Sequence, residues 1–146
     1  MEHRELSYKN SQISYYRFGT GPNPVVCFHG YGEDGKLYGF LGKYAGTDYT
    51  FFCIDLPFHG KTKWNEGLLF THEDLQQIIS KIFEQNSFPG KAGSLSDTTR
   101  TSNFKFSVLG FSLGGRIALS LPKNCQHVCS PGVVRELKIF TPLVLF

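Results

Sequence analysis

One serine of this chain lies in a pattern that can carry out nucleophilic chemistry. Residues 110–114 are Gly-Phe-Ser-Leu-Gly, the G-x-S-x-G pattern, with Ser112 at its centre. An apolar run before the pattern predicts a buried strand, and a helical period after it predicts a helix. A turn this sharp strains the serine backbone and presents the hydroxyl near the helix amino end, where the dipole favours negative charge. A glycine-rich turn can contain a serine by chance, so the flanking elements are what favour a nucleophile.

Two further stretches place polar residues directly after short apolar runs. Residues 29–32 are His-Gly-Tyr-Gly, and residues 55–60 are Asp-Leu-Pro-Phe-His-Gly. The apolar runs before them are typical of strands buried on both faces of a parallel sheet. We interpret the two histidines and the aspartate as turn-forming residues beside a pocket. Tyr31 either packs under its loop or faces a substrate, and the sequence leaves both alternatives open.

Composition and charge narrow the class of protein. The chain has 146 residues, enough for one domain, and a formal net charge of +3 without a Lys/Arg block. Scattered charge of this size predicts neither a nucleic-acid nor a membrane partner. The amino terminus lacks the apolar core of a signal peptide, and no apolar run is long enough to cross a bilayer. We therefore expect a cytoplasmic protein.

The cysteines do not predict a cofactor. Cys27 and Cys53 lie inside apolar runs, where a free thiol behaves as a small hydrophobic group. Cys125 and Cys129 bracket His127, but this spacing matches no common zinc pattern and supplies only three ligands. We expect no metal and no other cofactor.

The elements that position these residues follow from periodicity. A hairpin is predicted over residues 6–18, with a polar turn, and buried strands over 25–28 and 50–54. A helix over 33–44 is weakened by interior glycines. The strongest helix prediction begins at Thr71, which has a carboxylate three residues later, and has apolar residues at helical spacing through residue 83.

The rest of the chain has weaker patterns. Residues 87–103 are polar and aperiodic, which predicts a flexible surface insertion. Pro122 is expected to end the helix that follows Ser112. Residues 122–146 form a divergent tail, of which the apolar part, 133–146, could supply one more strand.

A hairpin followed by alternating strands and helices, with the serine turn after the third of those strands, resembles the amino-terminal half of the α/β-hydrolase fold over residues 6–121. Residues 29–32 resemble the family's H-G-x loop, residues 55–60 its D-x-P-G-x-G turn with Phe58 where glycine is common, and residues 110–114 its nucleophile elbow. The resemblance implies a mostly parallel sheet covered by helices.

The same resemblance assigns roles to single residues. Ser112 would be the nucleophile, and the backbone N–H groups of Leu113 and Tyr31 would form the oxyanion hole. A serine at the elbow, where dehalogenase-type and epoxide-hydrolase-type members carry aspartate, implies an ester, thioester or amide of a small molecule as substrate.

The resemblance stops after residue 121. The family's order is Ser, then Asp or Glu, then His, but here the acidic residue after Ser112 is Glu136 and the histidine is His127, in reverse order. Three explanations follow: a fragment whose tail is unrelated, a non-catalytic binding module, or an unorthodox triad. We favour the fragment, which would place the serine strand at or near the sheet edge and promote self-association.

Overall fold

The computed structural model describes residues 1–44, 46–88, 106–124 and 137–140. Most of the predicted insertion at 87–103, the cysteines around His127 and most of the tail therefore lie outside the described residues. Within the described residues, six strands form one sheet in the order β1-β2-β4-β3-β5-β6. Their bounds are β1 Glu2–Tyr8, β2 Ser11–Gly19, β3 Asn23–Phe28, β4 Tyr49–Ile54, β5 Ser107–Phe111 and β6 Leu137–Phe140.

The amino-terminal hairpin is confirmed and is longer than predicted. β1 and β2 pair antiparallel from Glu2↔Arg17 to Tyr8↔Ser11. The turn between them places Lys9 at φ 52°, the left-handed conformation that tight turns require. β2 then pairs antiparallel with β4, so the hairpin extends one side of the sheet.

The remaining strands are parallel, as the sequence predicted for the buried runs. β3 pairs with β4 on one side and with β5 on the other, and β6 pairs with β5 from Val108↔Leu137 to Phe111↔Phe140. β5 is thus one strand in from the β6 side of the described sheet. β6 lies within residues 133–146, where one more strand was considered. The sheet is mixed, and the pairing from β4 to β6 is parallel.

Helical segments cover both faces of the sheet. α1 (His72–Gln85) and α2 (Leu113–Asn124) pack on one face with Phe28, Phe52 and Ile54. A 3₁₀ helix, Gly35–Lys43, packs on the other face, which includes Cys27 and Cys53. Alternate residues of β3 and β4 therefore enter opposite cores, which explains their continuous apolar runs. No helix in the described ranges is long and apolar enough to cross a membrane.

α1 confirms the strongest helix prediction. Thr71 is its N-cap, and Thr71 and Asp74 form a reciprocal capping box. The apolar face is buried, with Leu75, Ile78, Ile79, Ile82 and Phe83 in the core. The Asp74 carboxylate also accepts hydrogen bonds from the Tyr8 hydroxyl at 2.7 Å and from Lys9 Nζ at 2.6 Å. The helix start is thereby tied to the hairpin turn.

Two helix predictions need correction. The segment predicted as a weak helix over 33–44 is a 3₁₀ helix, Gly35–Lys43, with Asp34 as its N-cap. Its interior glycines disfavour a regular α-helix, and the short 3₁₀ form is enough to bury Tyr38. α2 does not end at Pro122 but continues to Asn124. A proline in the last turn removes one hydrogen bond only, which a helix already anchored by Ala118 and Leu121 tolerates.

Candidate active site

Ser112 occupies the strained turn that the sequence predicted. It lies between β5 and α2 with φ 52°, a conformation that non-glycine residues rarely adopt. Its carbonyl accepts the first helical hydrogen bond, from Arg116 N–H at 3.3 Å, and its side chain is exposed. A Cβ on Gly110 would collide with the backbone at Gly114 and would lie 2.6 Å from Gly115 N. The turn therefore excludes a side chain at residue 110.

The start of α2 packs directly on the end of β3. A Cβ on Gly114 would collide with the carbonyl oxygen of Phe28 and would lie 2.7 Å from that of His29. A Cβ on Gly30 would lie 3.4 Å from the Cβ of Ser112. The loop after β3 and the turn after β5 are therefore in contact.

This contact lies at the switch point of the sheet. The chain passes from β3 to β4 on one side, and β5 lies on the other side of β3. Connections that leave the carboxyl ends of adjacent parallel strands in opposite directions open a crevice, where ligands of α/β proteins bind. The sheet thus brings Ser112 and the 29–32 loop together at the edge where such crevices form.

His29 is a structural residue of this loop, as expected. It is fully buried, its Nδ1 lies 2.7 Å from the Gly30 carbonyl oxygen, and its Nε2 accepts a hydrogen bond from Leu56 N–H at 3.0 Å. Burial lowers the pKa of His29 from its ordinary value. The imidazole is therefore neutral and joins the loops that follow β3 and β4.

Asp55, which follows β4, connects back to the segment that follows β3. Its buried carboxylate accepts hydrogen bonds from Gly35 N–H at 2.7 Å, from the Ser14 hydroxyl at 2.8 Å and from Lys61 N–H at 2.9 Å. The turn-forming role expected for Asp55 is confirmed. The sequence did not indicate Ser14 as a partner, since a serine in a hairpin strand carries no signal for a contact 41 residues away.

Phe58 departs from the resemblance at a position with a special backbone. Its φ is 67°, and Gly60, two residues later, has φ 53°. Glycine adopts such angles freely, whereas phenylalanine does so under strain. The Phe58 ring is 60% exposed, so little burial offsets that strain.

Tyr31 does not pack under its loop. Its side chain is 84% exposed, and its ring stands edge-on to the His59 ring, with 5.6 Å between centroids. His59 Nδ1 lies 2.9 Å from the Pro57 carbonyl oxygen, which is consistent with the turn-forming role expected for this histidine. The rim beside Gly30 is therefore aromatic and accessible.

The structure does not bring an acid–histidine pair to Ser112 within the part of the chain that it describes. His127 and Glu136 lie outside that part. Away from Ser112, Ser120 Oγ lies 2.8 Å from His72 Nε2, but Ser120 donates its proton to the Ile117 carbonyl. Ser120 is thus unsuited to nucleophilic attack. Among the described residues, no cluster of three or more metal-ligating side chains is present.

Comparison with known proteins gives matches at the level of fold. No family model matches the chain. The pimeloyl-[acyl-carrier protein] methyl ester esterase of Sodalis glossinidius is 25% identical over 109 residues, which are 75% of this chain and 34% of the esterase. The chain thus spans about a third of the length of that curated relative.

Solved structures match a larger share of the chain. The thioesterase domain from the curacin biosynthetic pathway has a TM-score of 0.64 at 20% identity, covering 88% of this chain and 43% of that domain. A proposed α/β-hydrolase from Nostoc sp. PCC 7120 has a TM-score of 0.63 at 16% identity, covering 88% of this chain and 40% of the other. Because these identities are low, the structural matches establish the fold alone.

Proposed function

We propose that this chain, which has the fold of the amino-terminal part of α/β-hydrolases, carries the nucleophile and the oxyanion hole of an acyl hydrolase. Ser112 is the nucleophile, and the backbone N–H groups of Leu113 and Tyr31 are the oxyanion donors. The observation that supports this assignment best is the left-handed backbone of Ser112 against the Gly30 loop. Strained φ angles persist where the surroundings over-determine them, and they cluster at functional sites.

The chemistry follows from that placement. The Ser112 oxygen attacks a carbonyl carbon, and the carbonyl oxygen becomes an oxyanion as the tetrahedral intermediate forms. Leu113 N–H is one of the unpaired amide groups in the first turn of α2, so the helix dipole adds to its hydrogen bond. Removing one oxyanion donor typically reduces turnover by about 10²–10³-fold. We expect each of the two N–H groups to contribute a rate enhancement of this size.

The proton of Ser112 needs an acceptor that the described residues do not supply at the site. In this fold the acid and the histidine follow the elbow along the chain. The match covers 34% of the length of the curated relative. Catalytic turnover by the whole protein is therefore itself a proposal. The corresponding alternative is a non-catalytic binding module, which the reversed order of His127 and Glu136 favours.

The substrate class is inferred from the named activities of two relatives. One relative is a methyl ester esterase that acts on an acyl group attached to a carrier protein, and another is a thioesterase domain. We infer a small acyl ester or thioester as the substrate of this chain. A neutral carbonyl needs no metal in this mechanism, since the charge develops against backbone N–H groups.

A serine-directed probe tests the assignment. The full chain is incubated with a fluorophosphonate at neutral and alkaline pH, digested, and the adduct located by mass spectrometry. We expect label on Ser112 and none in Ser112→Ala, while Ser120→Ala, the matched control on the helix that follows Ser112, labels as the unchanged chain does. Label on a different serine contradicts the nucleophile. No label at any pH, with retained binding of an acyl ester, supports the binding module instead.

A further inference from the structure

The Gly30–Tyr31 peptide is held by its carbonyl oxygen. That oxygen lies 2.7 Å from His29 Nδ1 and accepts a hydrogen bond from Glu33 N–H at 3.3 Å. No cis peptide bond is present among the described residues, so the C=O and N–H of this peptide point in opposite directions. Fixing the carbonyl toward the buried imidazole therefore directs the Tyr31 N–H away from it.

The two neighbours of His29 leave the imidazole a single tautomer. Leu56 N–H can only donate, so Nε2 must carry the lone pair. The Gly30 carbonyl can only accept, so Nδ1 must carry the proton. Since His29 is fully buried, water does not compete for either bond. Nδ1–H of His29 is therefore always available to donate to the Gly30 carbonyl.

We propose that His29 is a positioning residue, whose Nδ1–H sets the direction of the Tyr31 N–H and so makes that amide an oxyanion donor. The role of the amide rests on the proposed function, whereas its direction does not. His29 touches no reacting atom and acts through the Gly30–Tyr31 peptide. The contact between Gly30 and Ser112 means that a rotation of this peptide changes the groups presented beside Ser112.

The charged and titratable groups around His29 determine the pH range over which Nε2 accepts the hydrogen bond from Leu56. The His59 ring lies 5.2 Å away on the loop after β4, and Asp55 and Asp34 lie near enough to act on it electrostatically. Burial dominates and lowers the pKa of His29. When acid finally protonates the ring, Nε2–H opposes Leu56 N–H, and the contact between the two loops is lost.

Two substitutions test the two hydrogen bonds of His29 one at a time. His29→Asn keeps an N–H donor near the position of Nδ1 but lacks the reach to Leu56. His29→Gln places an amide near the position of Nε2 but has no donor at Nδ1. Residual dipolar couplings of the backbone amides in the full chain measure the Tyr31 N–H direction without any reaction. The rate of fluorophosphonate labelling measures the effect of that direction on the reactivity of Ser112.

We expect the Tyr31 coupling of the unchanged chain to fit the outward N–H and to persist in His29→Asn. In His29→Gln the coupling should change, and labelling should slow by about 10²-fold, as for a lost oxyanion donor. The reverse order, with Gln retaining the direction and Asn losing it, overturns the proposal. Absence of labelling in all three proteins contradicts the proposed function but leaves the couplings to decide the role of His29.

A titration of the unchanged chain covers the case in which neither variant folds. The ¹⁵N shifts of His29 report its tautomer and protonation, while the Tyr31 coupling is followed over the same pH range. We expect the Nδ1–H tautomer at neutral pH. Because protonation adds a proton at Nε2 and leaves Nδ1–H in place, we expect a Tyr31 coupling that stays constant as His29 becomes protonated. A neutral ring that carries its proton on Nε2 while the Tyr31 N–H still points outward refutes the proposal, because that direction then does not depend on Nδ1–H.

Discussion

At the residue scale, strained backbone is found in the loops that follow β4 and β5. Phe58 and Ser112 have φ angles of 67° and 52°, and left-handed non-glycine residues of this kind cost on the order of 1–2 kcal/mol. Buried hydrogen bonds of His29 and Asp55 hold the loops after β3 and β4, and the packing of Gly114 on β3 holds the turn at Ser112. The strained serine therefore depends on contacts made by its neighbours.

Replacing Gly114 tests that dependence. Gly114→Ala places a methyl group against the Phe28 carbonyl, and neither backbone can move without disturbing the sheet. We expect a loss of about 1–3 kcal/mol in the free energy of unfolding, as for other overpacked sites. Urea denaturation measures it. The control is Gly39→Ala, where the new Cβ would make only an ordinary 3.4 Å contact with Met1, and an equal loss there contradicts the packing argument.

At the scale of elements, the start of α1 joins a helix cap to the hairpin. Asp74 closes the capping box with Thr71 and binds Lys9 and Tyr8. Partial burial acts to raise the pKa of Asp74, but hydrogen bonds from Lys9, Tyr8 and Thr71 outweigh it, so the pKa lies well below its usual range. A carboxylate with a lowered native pKa stabilises the fold above its ordinary pKa, and this stabilisation disappears as pH falls.

Asp74→Asn should therefore destabilise the chain in a pH-dependent way. Near neutral pH we expect a loss of about 1–3 kcal/mol, the range for hydrogen bonds to charged groups, reduced by the exposure of Lys9. The difference from the unchanged chain should shrink as pH falls below the ordinary value of 3.8. Urea unfolding across pH measures this. Glu73→Gln, an exposed neighbour in the same turn, is the control, and an equal acid-dependent loss in that variant argues against the Asp74 contacts.

At the scale of the whole molecule, two cores lie on either side of the parallel strands. Cys27 and Cys53 are paired across β3 and β4 and are fully buried in the core under the 3₁₀ helix. Burial raises the pKa of the Cys53 thiol, and its contact with Cys27 raises it further. Both effects reduce the thiolate fraction, which is the reactive form. The two thiols are thus internal reporters of opening of the sheet.

Thiol modification should follow global unfolding. In a variant with Cys125 and Cys129 replaced by serine, we expect iodoacetamide to modify Cys27 and Cys53 slowly in buffer and together as urea reaches the unfolding transition. Mass spectrometry of the digested protein measures each site. Rapid modification of either thiol without urea contradicts the burial of this core, and free cysteine in the same solution controls for reagent activity.

The sequence alone determined the features that depend on neighbouring residues. The period of α1, its cap at Thr71, the apolar runs of β3 and β4 and the glycines around Ser112 are local patterns. The fold that the family resemblance implied, the amino-terminal part of an α/β-hydrolase, agrees with the matched structures. The roles of Ser112, Tyr31 and Leu113 remain proposals.

Only the tertiary structure decided which distant groups meet. Leu56 satisfies the buried Nε2 of His29 from 27 residues away, and Ser14 reaches Asp55 across 41 residues. The extension of α2 past Pro122 likewise contradicts local propensity. The physical reason is that sheet order and packing select one partner for each buried polar group and anchor the end of α2, and a linear pattern contains no such information.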